Sequence, residues 1–560
     1  MRLCDVRRLP IRIDSQREEL VYRYRRTKEI PMTRSMTTTL RPLSVILLAA
    51  GLAAPALAQV PGFETRDGWP LILGPGPSVD GGMMVNMDAD PELELVQVVQ
   101  DRLYALNLDG TNVPGFPRVL TAGQGTFGAP ALGDVDGDGE DEIVVQTFFF
   151  GIRGNLFAIE KDSTNVPGFP VDAGGSFKSP ALADLDGDGD LEIIVNANVG
   201  GFGQVTAFQG DGTVMPGFPQ LFSDISSGAA PAVGDLDGDG TPEIIVSSFY
   251  QVFAYDAGGN SLPGFPFTPD SGGTVQTLNY NSAGLADLDG DGDREIVFAT
   301  TNEFDPFTGR IYVLDHDGGL RPGWPTTTEF SIFVPPSIAD VDGDGALDIA
   351  IGDRTLTPTP EASIYVWDAN GNELPGWPVT GVVGAVHAQI MIADVDGDGA
   401  VELLVDDNTA VTPLYAFNGD GTQVSGWPLP VGTASSFQQS PTIGDFDGDG
   451  FLDIAASGND LISDQTWLYQ LASDSVAFDP ALAPVRTYQY NERRNGVADV
   501  LEAPTCRADF DGDGVLTLFD FLAFQNAFDA GDLSADFDSD GALTLFDFLA
   551  FQNEFDAGCE

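Results

Sequence analysis

The sequence predicts an all-β fold, a β-propeller of about fifty-residue blades, followed by a small α-helical module. Three observations carry this. An acidic frame, Asp-x-Asp-Gly-Asp-Gly-x-x-(Asp/Glu), recurs seven times, starting at Asp134, Asp184, Asp235, Asp287, Asp340, Asp394 and Asp445. An eighth, weaker copy, NMDADPELE, starts at Asn86, and successive starts lie 48, 50, 51, 52, 53, 54 and 51 residues apart. Short alternating segments and Gly/Pro turns surround each copy, and the last fifty residues switch to a helical period.

Each unit reads in the same order. A proline and a short apolar strand lead in, as in FGAPALGDVDGDG at 127 and GAAPAVGDLDGDG at 228. After the acidic frame come β-branched residues, Ile143 to Val145 or Ile193 to Val195, and then an alternating strand, NLFAIE at 155, QVFAYD at 251, RIYVLD at 310 or SIYVWD at 363. A turn such as DGT follows, then PGFP at 114, 167, 216 and 263, PGWP at 322 and 375, or SGWP at 425. Four strands in about fifty residues is the size of one propeller blade. The last unit ends with TWLYQL at 466 and lacks its Pro-Gly-aromatic-Pro strand, while a stray copy, DGWPLIL, stands at 67 to 73. An N-terminal strand completing the last blade is what ring closure requires. The count is eight blades, with seven open if the first unit has decayed. Trp69, Trp324, Trp377 and Trp427 share the aromatic place of this punctuation. Packing between blades is the expectation for them, and a sugar-binding stripe the alternative.

The acidic frame predicts a metal loop. Carboxylates at its first, third, fifth and ninth places would repel one another without a cation, and glycine at the sixth permits a sharp turn. Ca²⁺ accepts six to eight oxygens in flexible geometry, Mg²⁺ is stricter, and Zn²⁺ would want Cys or His. The predicted ligand sets are Asp134, Asp136, Asp138 and Glu142; Asp184, Asp186, Asp188 and Glu192; Asp235, Asp237, Asp239 and Glu243; and Asp287, Asp289, Asp291 and Glu295. Three more are Asp340, Asp342, Asp344 and Asp348; Asp394, Asp396, Asp398 and Glu402; and Asp445, Asp447, Asp449 and Asp453. In the first copy Asn86, Asp88, Asp90 and Glu94 keep the spacing, but Pro91 replaces the glycine.

Together the Phe-Gly-x-Ala-Pro lead-in, best matched at Phe127 to Pro130, and the acidic frame resemble the FG-GAP/VCBS repeats of integrin-α-type propellers, over roughly residues 62 to 480. The resemblance implies a structural Ca²⁺ in each matching loop, and integrin-type propellers have seven blades. It also implies a protein or glycan ligand on the propeller face.

Near the C-terminus, ADFDGDGVLTLFDFLAFQNAFDAGD at 508 repeats at 535 with 21 of 25 positions identical. Asp509, Asp511, Asp513, the Val515 carbonyl, Thr517 and Asp520 fall at EF-hand positions, as do Asp536, Asp538, Asp540, the Ala542 carbonyl, Thr544 and Asp547. Asp at the twelfth place departs from the EF-hand rule and resembles dockerins, of the kind with a Gly-Cys ending. That resemblance implies a cohesin-like or cell-surface partner. Leu518, Phe521, Leu522 and Phe528 share one helical face, as do Leu545, Phe548, Leu549 and Phe555. Each face is either module core or a docking surface. Cys506 and Cys559 bracket the module and are expected to form a disulfide clamp.

At the other end, Arg41, the apolar run LSVILLAAGLAA and Ala56-Leu57-Ala58 read as a secretory signal cleaved after Ala58. Its position predicts that Met32 or Met36 is the true start. The organisation expected is therefore 1–58 signal and extension, 59–480 propeller, 481–504 linker and 505–560 calcium-binding tail. Removing residues 1–58 leaves 14 basic against 80 acidic residues, a formal charge of −66. This excludes nucleic acid and anionic membranes as partners. No catalytic motif emerges, so a non-catalytic binding protein is expected. The alternative is a polysaccharide-active enzyme of the lyase kind, for which Arg294, Arg310, Arg354 and His387 are candidates without forming a motif. His316 and His387 are expected to be ordinary surface or loop residues.

Overall fold

The computed structural model describes residues 63–498 apart from 75–80, 89, 122–123, 127, 149–152, 270–275, 279–280, 303–307, 355–361, 408–412, 431–439 and 461–464. It further describes Phe521, Phe524, Gln525, Phe528, Phe548 and Phe551. Eight antiparallel sheets follow one another along the chain, one per acidic frame, and each is a propeller blade. Blade 2 is typical, with strands Ala131–Gly133, Glu142–Gln146, Asn155–Ile159 and Val171–Asp172 running outward in that order. Blade 1 is complete, from Met83–Val85 to Arg118–Val119, so the seven-blade alternative falls away. Blade 4 is the shortest: its outer strand shrinks to the bridge between Val252 and Phe267.

The last blade closes the ring as the displaced strand predicted. Leu71, Ile72 and Leu73 pair with Leu468, Trp467 and Thr466. Closure begins earlier than expected, because Phe63–Thr65 also pairs with the same strand. That strand, Gln465–Ala477, is 13 residues long and offers a longer edge to cover.

The second and third strands are buried on both faces, since each blade is stacked between two others. Ile193, Ile194 and Val195 are thus all inaccessible, and a continuous β-branched run is suited to that setting. The core lies between neighbouring blades. Leu95, Leu106, Phe446, Ala455 and Leu468 form one such layer across the join between blade 8 and blade 1.

The Pro-Gly-aromatic-Pro turn clasps each blade to the next. Its glycine has positive φ and lies against a carbonyl of the next blade's turn. A Cβ on Gly376 would stand 1.9 Å from the Asp420 oxygen, one on Gly323 2.0 Å from Asn370, and one on Gly68 2.6 Å from Asp109 across the ring closure. The adjacent indoles make the same connection: Trp69 Nε1 donates to Leu108 O at 2.7 Å, Trp324 to Ala369 O at 3.1 Å and Trp377 to Gly419 O at 2.9 Å. All four tryptophans of the motif are buried, which fits packing between blades and leaves no sugar-binding stripe.

Residues 481–498 are not the linker that the sequence suggested. They line the inner rim of the ring. The N–H groups of Leu132, Leu182, Val233, Leu285, Ile392 and Ile443 lie in the middle of innermost strands. They donate in turn to the carbonyls of Glu492, Arg493, Asn495, Gly496, Val485 and Arg486 at 2.7–3.0 Å. A ring of innermost strands presents unpaired edges to its own axis, and this segment satisfies them. Arg494 is fully buried. It donates to Pro130 O, Thr487 Oγ1, Tyr488 O and Gly82 O, so one guanidinium ties blades 1 and 2 to the segment. The periodicity expected of a strand or helix is absent because successive residues serve different blades.

Two changes test these contacts. Arg494→Met should lower unfolding free energy by about 2–4 kcal/mol in denaturant titration, since it leaves several buried carbonyls without donors. Gly376→Ala should destabilise by about 1–3 kcal/mol, because both positive φ and the close carbonyl oppose a Cβ. A melt within 1 °C of wild type would argue against either contact.

Candidate metal centres

The acidic frame joins the innermost strand to the second strand of each blade, so all eight frames lie at one end of the blades. The strand register places the ninth residue. Glu142 heads its strand and pairs with Gly133, Glu192 pairs with Ala183, Glu402 with Ala393 and Asp453 with Gly444. A small partner leaves room for the carboxyl, which is then buried at the root of the loop.

The loop is built around that acid. In blade 2, Val135 N donates to Glu142 Oε2 at 2.9 Å. Gly137 N and Gly139 N donate to the two oxygens of Asp134 at 2.7 and 2.9 Å. These glycines have φ of 75° and 89°, the conformation that turns both amides inward. Glu140 N donates to the exposed Asp138 at 2.9 Å. The same contacts recur at Asp184, Asp287, Asp340 and Asp394. Asp235 and Asp445 instead take the fifth- and sixth-place amides, those of Asp239 and Gly240 and of Asp449 and Gly450. The amide of the second residue reaches the ninth acid in every blade, from Met87 on Glu94 to Phe446 on Asp453.

Two oxygens of blade 2 remain buried without a hydrogen-bond partner, Asp136 Oδ1 and Glu142 Oε1. Buried carboxylate oxygens are costly unless a donor or cation meets them. Asp134, Asp136 and Glu142 bring oxygens within 4.8 Å of one another, as do Asp184, Asp186 and Glu192, and Asp287, Asp289 and Glu295. In blade 4 the cluster is Asp235, Asp237 and Asp239. Burial pushes Glu142 and Glu402 up to about 8, and Glu94, Glu192, Glu243, Glu295, Asp348 and Asp453 up to about 7. The loop aspartates add to this by repulsion, while the second-place amide opposes it. An all-oxygen donor set with one buried acid and two unsatisfied oxygens suits a hard divalent cation.

The first loop is a partial copy. Asp88, Asp90 and Glu94 cluster, but Asn86 donates its side-chain amide to Asp90 O and Pro91 supplies no inward N–H.

The loops Asp509–Asp520 and Asp536–Asp547, with Cys506, Cys559 and Phe127, lie outside the described residues. Of the tail, the described phenylalanines are helical and pack together. Phe524 and Phe551 stack at 4.1 Å and are fully buried, and Phe521 meets Phe548 edge-on at 5.7 Å. Phe524 and Phe551 were absent from the face read in the sequence, although Phe521, Phe524 and Phe528 have the spacing of one helical stripe.

The residues considered for catalysis do not gather as one set. Arg294 Nη1 donates to Asp235 O at 2.7 Å, at the acidic end of the blades. Arg354 lies at the opposite end, beyond the second strand Asp348–Gly352, with Nη1 3.0 Å from His387 Nε2 and its guanidinium 3.5 Å from the centre of the Phe333 ring. His316 is a surface residue 3.0 Å from Asp293. His387 is a loop residue rather than a surface one. It is partly buried, and burial, then Arg354 and Lys178, depress it to about 3, which keeps the ring neutral.

Among known families, the model for the FG-GAP-like repeat matches residues 184–246, 287–351 and 340–405. The protein is thus an eight-bladed β-propeller that carries FG-GAP-like repeats. No curated protein gives a significant match. Similar solved structures include the V. cholerae biofilm matrix protein Bap1, with 15% identity over 66% of this chain and 90% of that one and a TM-score of 0.37. The BP39L lectin of Burkholderia pseudomallei shares 11% identity over 63% of this chain and 99% of its own, with a TM-score of 0.41. The C-terminal domain of Pseudomonas aeruginosa PilY1 shares 11% identity over 66% and 90%, with a TM-score of 0.37. Among the described residues, no helix is long and apolar enough to cross a membrane.

Asp136→Asn should lower by one the number of calcium ions bound per chain, counted by equilibrium dialysis at millimolar calcium, with the other metal-holding blades keeping theirs. An unchanged count would show that the blade 2 loop is not a metal centre.

Proposed function

We propose that this protein is a secreted, calcium-dependent β-propeller that presents a non-catalytic binding or adhesion surface. The carrying observation is the repeated loop, in which a buried ninth acid and a third-place aspartate leave oxygens facing the same space. Calcium fits that space better than magnesium or zinc, because the donors are all oxygen and calcium accepts six to eight of them in flexible geometry. Asp134, Asp136, Asp138 and Glu142 would hold it in blade 2, and the equivalent residues in the strong loops of blades 3, 4, 6 and 7. Its chemistry there is structural: a cation replaces mutual repulsion with shared attraction and fixes the turn between two strands.

Exposed apolar side chains support a binding surface. Val199, Phe202, Leu221, Ile225 and Tyr250, in or beside blades 3 and 4, are exposed, Phe202 by 62% and Leu221 by 66%. Such concentrations on soluble proteins often mark contact surfaces. In this reading residues 505–560 form a dockerin-like calcium module that attaches the propeller to a cohesin-like or cell-surface partner. Asp509, Asp511, Asp513, Thr517 and Asp520, and Asp536, Asp538, Asp540, Thr544 and Asp547, would be its ligands. The phenylalanine packing described above supports a folded core in it.

A second reading, a polysaccharide-active enzyme, has one observation in its favour. Lys178, Arg354 and His387 come together away from the acidic loops, in a chain of formal charge −60. A uronic acid polymer is the substrate class that such a corner would suit. Incubation with uronate polysaccharides and measurement of chain length separates the two readings, since a binding protein retains the polymer uncut.

Calcium removal is the direct test of the first reading. Binding in roughly the 10⁻⁴ to 10⁻³ M range typical of extracellular modules should raise the melting temperature with calcium by mass action. A melt unchanged by chelator would exclude it. For the tail, deletion of 505–560 should abolish retention at the cell surface while leaving the propeller's melt intact.

A further inference from the structure

Among the described residues, two of the loops hold an arginine of their own blade against their third- and ninth-place carboxylates. In most blades the residue before the Pro-Gly-aromatic-Pro turn is apolar: Val113, Val166, Met215, Leu262, Leu374 and Val424. In blade 5 it is Arg321, and in the stray N-terminal copy that completes blade 8 it is Arg66. The backbone confirms that these places are equivalent. Val113 N donates to Ala105 O, Val166 N to Ala158 O, Arg321 N to Val313 O and Arg66 N to Gln470 O, each on the third strand of its own blade.

From this place the side chain reaches the acidic loop. Arg321 Nη2 lies 2.8 Å from Asp289 Oδ2, and its Nη1 2.9 Å from Glu295 Oε1 and 3.1 Å from Asp315 Oδ1. Arg66 Nη1 lies 2.7 Å from Asp447 Oδ2 and its Nη2 2.8 Å from Asp453 Oδ2. Asp289 and Asp447 hold the third place of the frame, and Glu295 and Asp453 the ninth. In blade 2 those same places are Asp136 and Glu142, whose inward oxygens have no partner. Both arginines are largely buried, at 15% and 16% exposure. A guanidinium is planar, always charged and able to bridge two carboxylates, so it can hold the loop in one arrangement. A divalent ion entering the same space would meet a like charge already bound to two of its ligands.

We propose that Arg66 and Arg321 are resident counter-ions that replace calcium in the loops of blades 8 and 5. These two blades then keep their loops folded when calcium is withdrawn, while blades 2, 3, 4, 6 and 7 depend on the ion. The placement of Arg66 has a particular consequence. It lies 381 residues in sequence from Asp447 and belongs to the segment that closes the ring, so ring closure is held by an ion pair that needs no metal.

The inference rests on the calcium reading of the other loops. It is tested on the full chain with Arg66→Leu, Arg321→Leu and the double variant, leucine being the native residue here in two other blades. Calcium bound per chain is counted by equilibrium dialysis at millimolar calcium, with circular dichroism confirming the fold. Each single variant should gain one calcium and the double variant two. Hydrogen exchange on the wild-type chain in chelator supplies a readout independent of the variants. Glu295–Thr301 and Phe451–Asp460 should keep their protection while Glu142–Gln146, Glu192–Val199, Asp348–Gly352 and Glu402–Asp406 lose it. A wild-type chain that binds calcium, with variants that gain none or with uniform loss of protection in chelator, overturns this inference alone. A wild-type chain that binds no calcium overturns it together with the reading beneath it.

Discussion

The buried carboxyl at the head of each second strand is the constraint on which the rest of this structure depends. Strand pairing fixes where Glu142, Glu192 or Asp453 must sit, and a glycine or alanine opposite makes room for it. Once the acid is there, one oxygen is consumed by the second-place amide and the other needs a positive partner. The aspartates and glycines of the loop follow from that need. They supply further oxygens, and positive-φ glycines whose amides hold the first aspartate in place. The blade therefore cannot be separated energetically from its loop: the same residue both pairs within a strand and closes the acidic loop.

The blades are held to one another by a different interaction, backbone against backbone. The turn glycine of one blade rests on a carbonyl of the next, and the neighbouring indole or phenyl ring covers the join. This explains why the punctuation keeps glycine and an aromatic residue while its first position varies between proline, serine and aspartate. The glycine and the ring are the parts that lie against the neighbouring turn. The position just before the turn instead faces the blade's own loop, which is why it tolerates both apolar residues and arginine.

Closure of the ring uses both ends of the propeller. The N-terminal strands complete the outer edge of blade 8, and the segment following that blade occupies the inner rim. The outer edge of blade 8 and the inner edges of six blades are thereby covered, which removes those templates for edge-to-edge association. Arg494 and Arg66 have analogous parts in this. Each is a buried guanidinium that joins segments distant in sequence, Arg494 through carbonyl oxygens and Arg66 through carboxylates.

The sequence by itself determined the repeat, the displaced closing strand and the place of each acidic loop, and it favoured eight blades over seven. Each of these is written as a spacing of residue types, and local spacing survives folding unchanged. Tertiary structure alone decided the rest. The inner-rim segment 481–498 shows no period because its contacts are made by backbone carbonyls to six different blades. Phe524 and Phe551 became the stacked pair of the tail because folding brings two segments 27 residues apart together, although single-helix spacing could have drawn attention to them. The pairing of Arg66 with Asp447 and Asp453 was illegible because the two sites are at opposite ends of the chain, and only closing the ring brings them within reach. A linear pattern specifies what each blade is made of, whereas the contacts between chain ends exist only once the ring has closed.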